Sequence, residues 1–379
     1  MGFDAAYLIK IYMKLNYPQE GDFTMGEFDR CYVEKDVKIS APYREQYLSG
    51  LKKVLERRTE EAKKIKSERI TPEYMKENKE ELRAEFADML GWPLNCYDDF
   101  KDVPMTARRT QVAFDQLGYV YRIEIEVLPD LWFYGMIFHS GYVTTNAPLV
   151  IFQHGGGGTP ELAYHCDGNE SNYNHIIQRF TQRGAVVFAP QLLLWDKNIF
   201  GTDYDRMKLD QELKHVGSSI TALEIFCIRR SIDYMIKQRM VTPDRIAMVG
   251  LSYGGFYTLR TAAVEKRIRC AYTSSHFNDR TKYYSSDYLF DKAALKFLDG
   301  EIGGLIAPRG LYIGVGDKDP LFDAESAKKE AERTLEFYKA EGCEKDFRFD
   351  IFEGTHMFTN DNKGIEFVLD HLKLDSNVY

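Results

Sequence analysis

The stretch that most constrains the fold is VGLSYGG at residues 249–255, which contains the pattern Gly-x-Ser-x-Gly. The short apolar run before it predicts a buried strand, and residues 256–263 predict a helix. A tight strand-to-helix turn presents a serine at its apex, and flanking glycines remove the side chains that would clash there. The positive end of the following helix favours an anion at the same point. The context therefore predicts that Ser252 is a nucleophile, although the pattern alone also occurs in ordinary turns.

Composition and charge argue against several classes of partner. The chain has 379 residues, of which 44% are hydrophobic, and a formal net charge of −8. No long basic run is present, so we expect neither nucleic acid nor an anionic membrane surface as a partner. No apolar run approaches the ~18 residues of a membrane span, and the first residues do not resemble a secretory signal. We therefore expect a cytoplasmic protein.

The cysteines and histidines give no sign of a metal centre. The six cysteines are scattered without a Cys-x-x-Cys pair, and the eight histidines lack the close spacing of common ligand motifs. The sequence therefore predicts no bound metal and no cofactor.

The N-terminal part of the chain predicts helices. Residues 43–70 have an amphipathic pattern, and a second helix begins at Pro72 with Thr71 as its N-cap and ends at Gly91. We predict that residues 1–105 form a largely helical extension or cap, in which residues 1–40 form either a cap or a homo-oligomer contact. Residues 106–379 are predicted to form the catalytic domain.

The second part alternates between strand and helix patterns. Residues 111–127 and 131–139 predict two strands joined by a turn, and the remaining elements are a series of short apolar strands separated by helices. The strands are at 148–152, 185–189, 245–249, 268–272, 310–315 and 347–352, and the main helices are at 172–183, 219–237 and 324–340. This alternation predicts a mostly parallel α/β sheet with helices on both faces, and the sites of such sheets lie at the carboxyl ends of the strands.

Three features follow predicted strands and supply the groups that a serine nucleophile needs. HGGGG at 154–158 offers backbone N–H groups for an oxyanion, together with the N–H of Tyr253. Two acids, Asp317 and Asp319, follow the strand at 310–315, and the residues alone favour Asp319 only slightly. His356 follows the last strand. The order nucleophile, acid, histidine is that of the α/β-hydrolase architecture.

These segments resemble one family in particular. From about residue 80 onward, the chain resembles α/β-hydrolases of the dienelactone-hydrolase and acetyl-xylan-esterase-related group. The resemblance is carried by EFADMLGWP (85–93), the glycine loop, VTPDRIAMVGLSYGGFYTLRTAAVEKRI (241–268), LIAPRGLYIGVGDKDPLF (305–322) and FEGTHMF (352–358). It implies a triad of Ser252, Asp319 and His356, with an oxyanion hole from Tyr253, Gly155 and Gly156. It also implies short acyl esters as substrates, including acetylated sugars.

The substrate pocket is less well defined by the sequence. Loops at the carboxyl ends of predicted strands place His154, Trp195 and His276 as candidate pocket residues. We expect a small-molecule ester substrate and hydrolysis through an acyl-enzyme. Two alternatives remain open, namely an oligopeptidase-like serine peptidase and a catalytically silent hydrolase-like binding protein.

Overall fold

The computed structural model describes residues 36–143, 145–194 and 204–373. The chain divides into two compact units, Met1–Arg58 and Thr59–Tyr379. In the first unit, the described residues form a 3₁₀ turn, Val37–Ser40, and the beginning of a long helix. Among the helices in the described ranges, none combines the length and the apolar character that crossing a membrane requires.

Nine strands form one sheet in the second unit. They are β1 (Ala107–Asp115), β2 (Gly118–Leu128), β3 (Leu131–His139), β4 (Ala147–Gln153), β5 (Val186–Pro190), β6 (Val241–Leu251), β7 (Ile268–Ser274), β8 (Gly310–Gly316) and β9 (Phe347–Phe352). Their order is β1-β2-β3-β5-β4-β6-β7-β8-β9. The three neighbouring pairs β1–β2, β2–β3 and β3–β5 are antiparallel, and the remaining pairs, from β5–β4 to β8–β9, are parallel. The predicted mostly parallel α/β sheet is thus confirmed.

Helices cover both faces of this sheet. The helices of the described residues are α1 (Ala41–Arg69), α2 (Pro72–Glu77), α3 (Lys79–Leu90), α4 (Pro160–Ala163), α5 (Ile176–Thr181), α6 (Arg206–His215), α7 (Ile220–Met235), α8 (Tyr253–Val264), α9 (Ala293–Lys296), α10 (Asp299–Gly304), α11 (Ala324–Glu341) and α12 (Lys363–Leu372). Neighbouring strand residues alternate between two cores, so that Leu149 and Ile151 pack with α3, α7 and α8, whereas Val150 and Phe152 pack with α5 and α12. Burial on both sides explains why these strands are continuous apolar runs.

Two predicted elements differ from those observed. The predicted strand at 111–127 is two antiparallel strands, β1 and β2, joined by a turn at Gln116 and Leu117. The predicted helix that begins at Pro72 is two helices, because the backbone of Asn78 leaves the helical conformation between α2 and α3. The first break ends at Gly118, whose φ of 130° favours glycine, and the sequence prediction did not use this signal. The second break has no Gly or Pro.

The larger unit includes residues before the predicted catalytic domain. Leu82 and Phe86 of α3 are fully buried in the same core as β4 and β6. The division of function at residues 105 and 106 stays a prediction. Residues 1–35, for which we predicted a cap or an oligomer contact, lie outside the described ranges.

Candidate active site

The predicted nucleophile lies at a strained turn between β6 and α8. Ser252 has φ 59° and ψ −121°, a conformation that non-glycine residues adopt only where the surrounding structure imposes it. A Cβ on Gly250 would lie 2.2 Å from the Gly254 carbonyl oxygen, and a Cβ on Gly254 would lie 2.0 Å from that of Gln153. The two glycines are therefore required by the close approach of the backbone.

The glycine loop after β4 lies directly against this turn. A Cβ on Gly155 would be 3.2 Å from the Cβ of Ser252 and 3.0 Å from the Leu251 carbonyl oxygen. The N–H of Gly155 donates to the hydroxyl of Tyr173 at 2.9 Å, so this group already has a partner. Gly156, the next residue, is exposed. Of the two predicted glycine donors, Gly156 is thus better placed to receive a ligand oxygen.

His154 holds the glycine loop from inside the protein. Its side chain is completely buried. Its Nε2 accepts from the Leu192 N–H at 3.1 Å, and Nδ1 donates to the Gly155 carbonyl oxygen at 2.9 Å. Burial lowers the pKa of the imidazole to about 4, so the ring is neutral at neutral pH. We therefore correct the prediction that His154 lines a pocket: the ring positions the loop.

Of the two candidate acids, Asp319 contacts the predicted base. Its Oδ2 accepts from Nδ1 of His356 at 2.9 Å, and its side chain is fully buried. Oδ1 accepts the N–H groups of Leu321, at 2.8 Å, and Phe322, at 3.2 Å. Asp317 is exposed, and its Oδ1 accepts the Gly354 N–H at 2.9 Å. Of the two carboxylates, Asp319 is therefore the one that contacts His356, and its role as the catalytic acid stays a prediction.

The hydrogen bonds to Asp319 keep it ionised. Burial by itself acts to raise the pKa of this carboxyl, but the bonds from His356, Leu321 and Phe322 outweigh it and lower the pKa below its usual value. A buried carboxylate beside Nδ1 selects the imidazole tautomer that leaves Nε2 unprotonated. The side chain of His356 is 18% exposed, so it can be reached from solvent.

Hydrogen bonds connect the His356 loop to the Ser252 turn. The Ser252 N–H donates to the Ser274 carbonyl oxygen at 2.9 Å, and the Ser274 hydroxyl donates to the Met357 carbonyl oxygen at 3.0 Å. On the other side, the side chain of Asn172 donates to the carbonyl oxygen of His356 at 3.0 Å. The ends of β6, β7 and β9 are thereby held together at the same edge of the sheet.

The remaining predicted pocket residues have different positions. His276 is fully buried, and its ring lies edge-on to Phe256 and Phe322, whose centroids are 5.4 and 5.7 Å away. Burial, with nearby arginines and His356, lowers its pKa well below the usual value. Phe322 also stacks on His356, so His276 packs in the same aromatic cluster, and its assignment to the pocket stays a prediction. Trp195 lies outside the described residues.

A buried ionic cluster beside Tyr253 was not anticipated from the sequence. Arg206 of α6 forms ion pairs with Glu224, at 3.0 Å, and Asp287, at 2.7 Å, and it donates to the Tyr257 hydroxyl at 2.7 Å. The Tyr253 ring stacks near Tyr288 with centroids 4.9 Å apart. The cluster fixes the start of α8. The charged residues are far apart in the sequence, so no spacing could have predicted it.

Comparisons with known proteins agree with this architecture. A family model described as the prolyl oligopeptidase family matches residues 228–300. The Bacillus subtilis (strain 168) protein named "Putative hydrolase YtaP" is 26% identical over 221 residues, which are 53% of this chain and 70% of that protein. The family match includes the Ser252 turn.

Solved structures extend the likeness to more than three quarters of the chain. A glucuronoyl esterase from Solibacter usitatus is 13% identical and has a TM-score of 0.55, with coverage of 79% of this chain and 93% of that chain. Acetyl xylan esterase 1 from Thermoanaerobacterium sp. is 15% identical and has a TM-score of 0.52, with coverage of 78% and 94%. At such identities the likeness shows the fold. The chain has the α/β-hydrolase fold. This is the fold that the resemblance predicted.

Proposed function

We propose that the protein is a serine esterase that hydrolyses carboxylic esters through an acyl-enzyme. The observation that carries this proposal is the buried Asp319–His356 pair, joined by backbone contacts to the strained turn at Ser252. A buried carboxylate on Nδ1, a serine at a strand-to-helix turn and a glycine loop against that serine are the parts that acyl transfer requires.

In the proposed mechanism, Nε2 of His356 removes the proton from the Ser252 hydroxyl, and the oxygen attacks the ester carbonyl. Asp319 holds the imidazole in the required tautomer and stabilises its cation. The N–H groups of Tyr253 and Gly156 bind the oxyanion, while Gly155 and His154 hold the loop in shape. His356 then protonates the leaving alcohol, and water releases the acyl group by the same steps in reverse.

For the substrate, we propose short acyl esters, including acetyl groups on carbohydrate. The sequence resemblance to acetyl-xylan-esterase-related proteins supports this choice. The names of the solved structures with this fold, an acetyl xylan esterase and a glucuronoyl esterase, agree with it. A small ester places few demands on the pocket beyond the reacting carbonyl.

A peptidase is the second candidate, because the matching family model is that of the prolyl oligopeptidases. Amide hydrolysis uses the same nucleophile, base and oxyanion donors, so the candidate site is compatible with both reactions. The leaving group therefore has to be tested directly.

The test combines active-site labelling with two substrate series. Wild type and Ser252→Ala are incubated with a fluorophosphonate, then assayed on p-nitrophenyl esters from acetyl to octanoyl and on aminoacyl p-nitroanilides. We expect labelling of the wild type alone, ester activity that falls as the acyl chain lengthens, and a loss of at least ~10³-fold in the variant. Cleavage of anilides in preference to esters would favour the peptidase. Absence of labelling in folded wild-type protein would support a silent binding protein instead.

A further inference from the structure

Two histidines and a glutamate meet in the segment between α4 and α5, outside the proposed catalytic groups. His165, Glu170 and His175 each offer one ligand atom, and these atoms lie within 4.8 Å of one another. The Nε2 of His175 is 3.0 Å from a Glu170 carboxylate oxygen. The rings of His165 and His175 stack with centroids 4.1 Å apart and an angle of 21° between their planes.

The two nitrogens of His165 are in different situations. Nδ1 lies 2.6 Å from the Asn169 carbonyl oxygen, to which it donates. This bond places the remaining lone pair on Nε2. That atom is buried, and in the part of the chain that the structure describes it has no hydrogen-bond partner. A buried imidazole nitrogen without a donor is destabilising. A histidine whose other ring nitrogen donates to a backbone carbonyl oxygen, as Nδ1 of His165 does, has the arrangement typical of a metal ligand.

We propose that His165, Glu170 and His175 form a binding site for Zn²⁺. Two imidazoles and one carboxylate are a ligand set that suits zinc, and imidazoles are poor ligands for Mg²⁺ and Ca²⁺. Three protein ligands leave a position for water or for another ligand. The stacked rings must rotate for both lone pairs to converge on one ion. The side chain of His175 is 47% exposed, so its ring has room to do so.

The same segment contacts both halves of the proposed active site. The Tyr173 hydroxyl accepts the Gly155 N–H, and Asn172 donates to the His356 carbonyl oxygen. The Asn172 carbonyl oxygen also accepts the Phe358 N–H at 2.9 Å. An ion that joins His165 to His175 would close residues 165–175 into a loop around these contacts. Zinc would thereby stabilise the positions of the glycine loop and of the His356 loop.

Direct binding measurements test the site without any need for turnover. Tag-free protein is treated with EDTA, desalted and titrated with Zn²⁺ by calorimetry at pH 7.5, with bound metal counted by elemental analysis. We expect about one Zn²⁺ per chain. His165→Ala or His175→Ala should weaken binding by at least about 100-fold, and Glu170→Gln by about 10-fold or more. His215→Ala, which removes an exposed histidine on α6, is the control and should bind as the wild type does.

Hydrogen exchange tests the link to the active site. In wild type, Zn²⁺ should slow amide exchange across residues 165–175, and in His165→Ala it should not. Circular dichroism checks that the variants fold. If a histidine variant does not fold, Glu170→Gln, which changes an exposed side chain, replaces it in the comparison. The proposal fails if wild type binds less than about 0.2 equivalents, or if the ligand variants bind as tightly as His215→Ala. Neither result would affect the esterase proposal, which rests on separate residues.

Discussion

Replacing Asp319 by Asn tests the proposed acid most directly. The carboxylate accepts three hydrogen bonds, from Nδ1 of His356 and from the N–H groups of Leu321 and Phe322. An asparagine oxygen can keep the two backbone bonds. The amide NH₂ then faces His356, and because it can only donate, it favours the tautomer with the proton on Nε2. That tautomer cannot accept the Ser252 proton.

The expected loss follows from holding His356 in the wrong tautomer while leaving the other parts in place. A triad with the wrong histidine tautomer loses about 10³- to 10⁴-fold in kcat, which corresponds to roughly 4–5.5 kcal/mol of transition-state stabilisation. The KM should change little, since Asp319 is buried behind His356 and does not form the substrate surface. Loss of the charge-assisted bond should also lower the free energy of unfolding by about 1.5–3 kcal/mol.

The pH dependence of this stability loss has a defined sign. The pKa of Asp319 is lowered in the folded protein. Its contribution to stability is therefore complete above the unfolded pKa of about 3.9 and is lost as the pH falls through the folded pKa. The difference in unfolding free energy between wild type and Asp319→Asn should therefore shrink as the pH falls below about 4.

Asp317→Asn is the matched control. Asp317 lies two residues away in the same loop and is exposed, and its Oδ1 accepts the Gly354 N–H. An asparagine oxygen can replace that acceptor, so we expect kcat within about threefold of wild type. Both variants are assayed on p-nitrophenyl acetate at pH 7.5 after urea titration confirms that they fold. The reasoning is refuted if Asp319→Asn keeps more than a tenth of wild-type kcat, or if Asp317→Asn shows the larger loss.

Three further changes test the structure around the site. Gly254→Ala should destabilise the protein by about 3 kcal/mol or more, because its Cβ would overlap the Gln153 carbonyl oxygen. Gly50 has open space around it, so Gly50→Ala should stabilise α1 by about 0.5–1 kcal/mol. Equal urea midpoints for the two variants would contradict this. The pKa of His154 is about 4 in the folded protein, below the unfolded value of about 6.5, so the free energy of unfolding should fall as the pH drops through this window. Between pH 7 and pH 5 the wild type should lose about 2 kcal/mol more than His154→Asn. Parallel pH profiles of the two proteins would disprove that His154 is buried in its neutral form. Burial and the Glu301 carboxylate raise the pKa of Glu330 to about 7, so ionisation of Glu330 destabilises the folded protein at high pH. Glu330→Gln keeps an acceptor for the Gly300 N–H, and it should stabilise the protein by about 1 kcal/mol more at pH 8 than at pH 5. An unchanged free energy of unfolding at pH 8 would contradict this.

Much of the fold could be predicted because its signals are local. Each central strand is buried on both faces, so it appears in the sequence as a short apolar run, and β9 begins and ends where its pattern predicts. The Ser252 turn was predictable for the same reason, since the glycines that the turn requires are its immediate neighbours. At Gln116 and Leu117 the strand boundary was wrong, because the prediction ran through Gly118, which has φ 130° and begins β2.

The choice between groups that lie close in the sequence required the tertiary structure. The sequence places Asp317 and Asp319 in one loop, but only the approach of the loop after β9 decides which carboxylate contacts His356. The ring of His154 accepts a hydrogen bond from Leu192, which follows a different strand. The partner of Gly155 is Tyr173, which the sequence placed in a predicted helix with no indication of this contact. The cluster of His165, Glu170 and His175 was missed because its spacing of five residues on either side of the glutamate matches no helical ligand motif.

The sequence by itself thus determined the order of strands and helices, the strained turn at Ser252 and the set of groups at the carboxyl ends of the strands. These depend on backbone geometry and on burial patterns that repeat over a few residues. The tertiary structure alone decided which hydrogen bond each polar side chain makes. That outcome depends on distances of about 3 Å between segments far apart in the chain, and no local pattern of residue types encodes such distances.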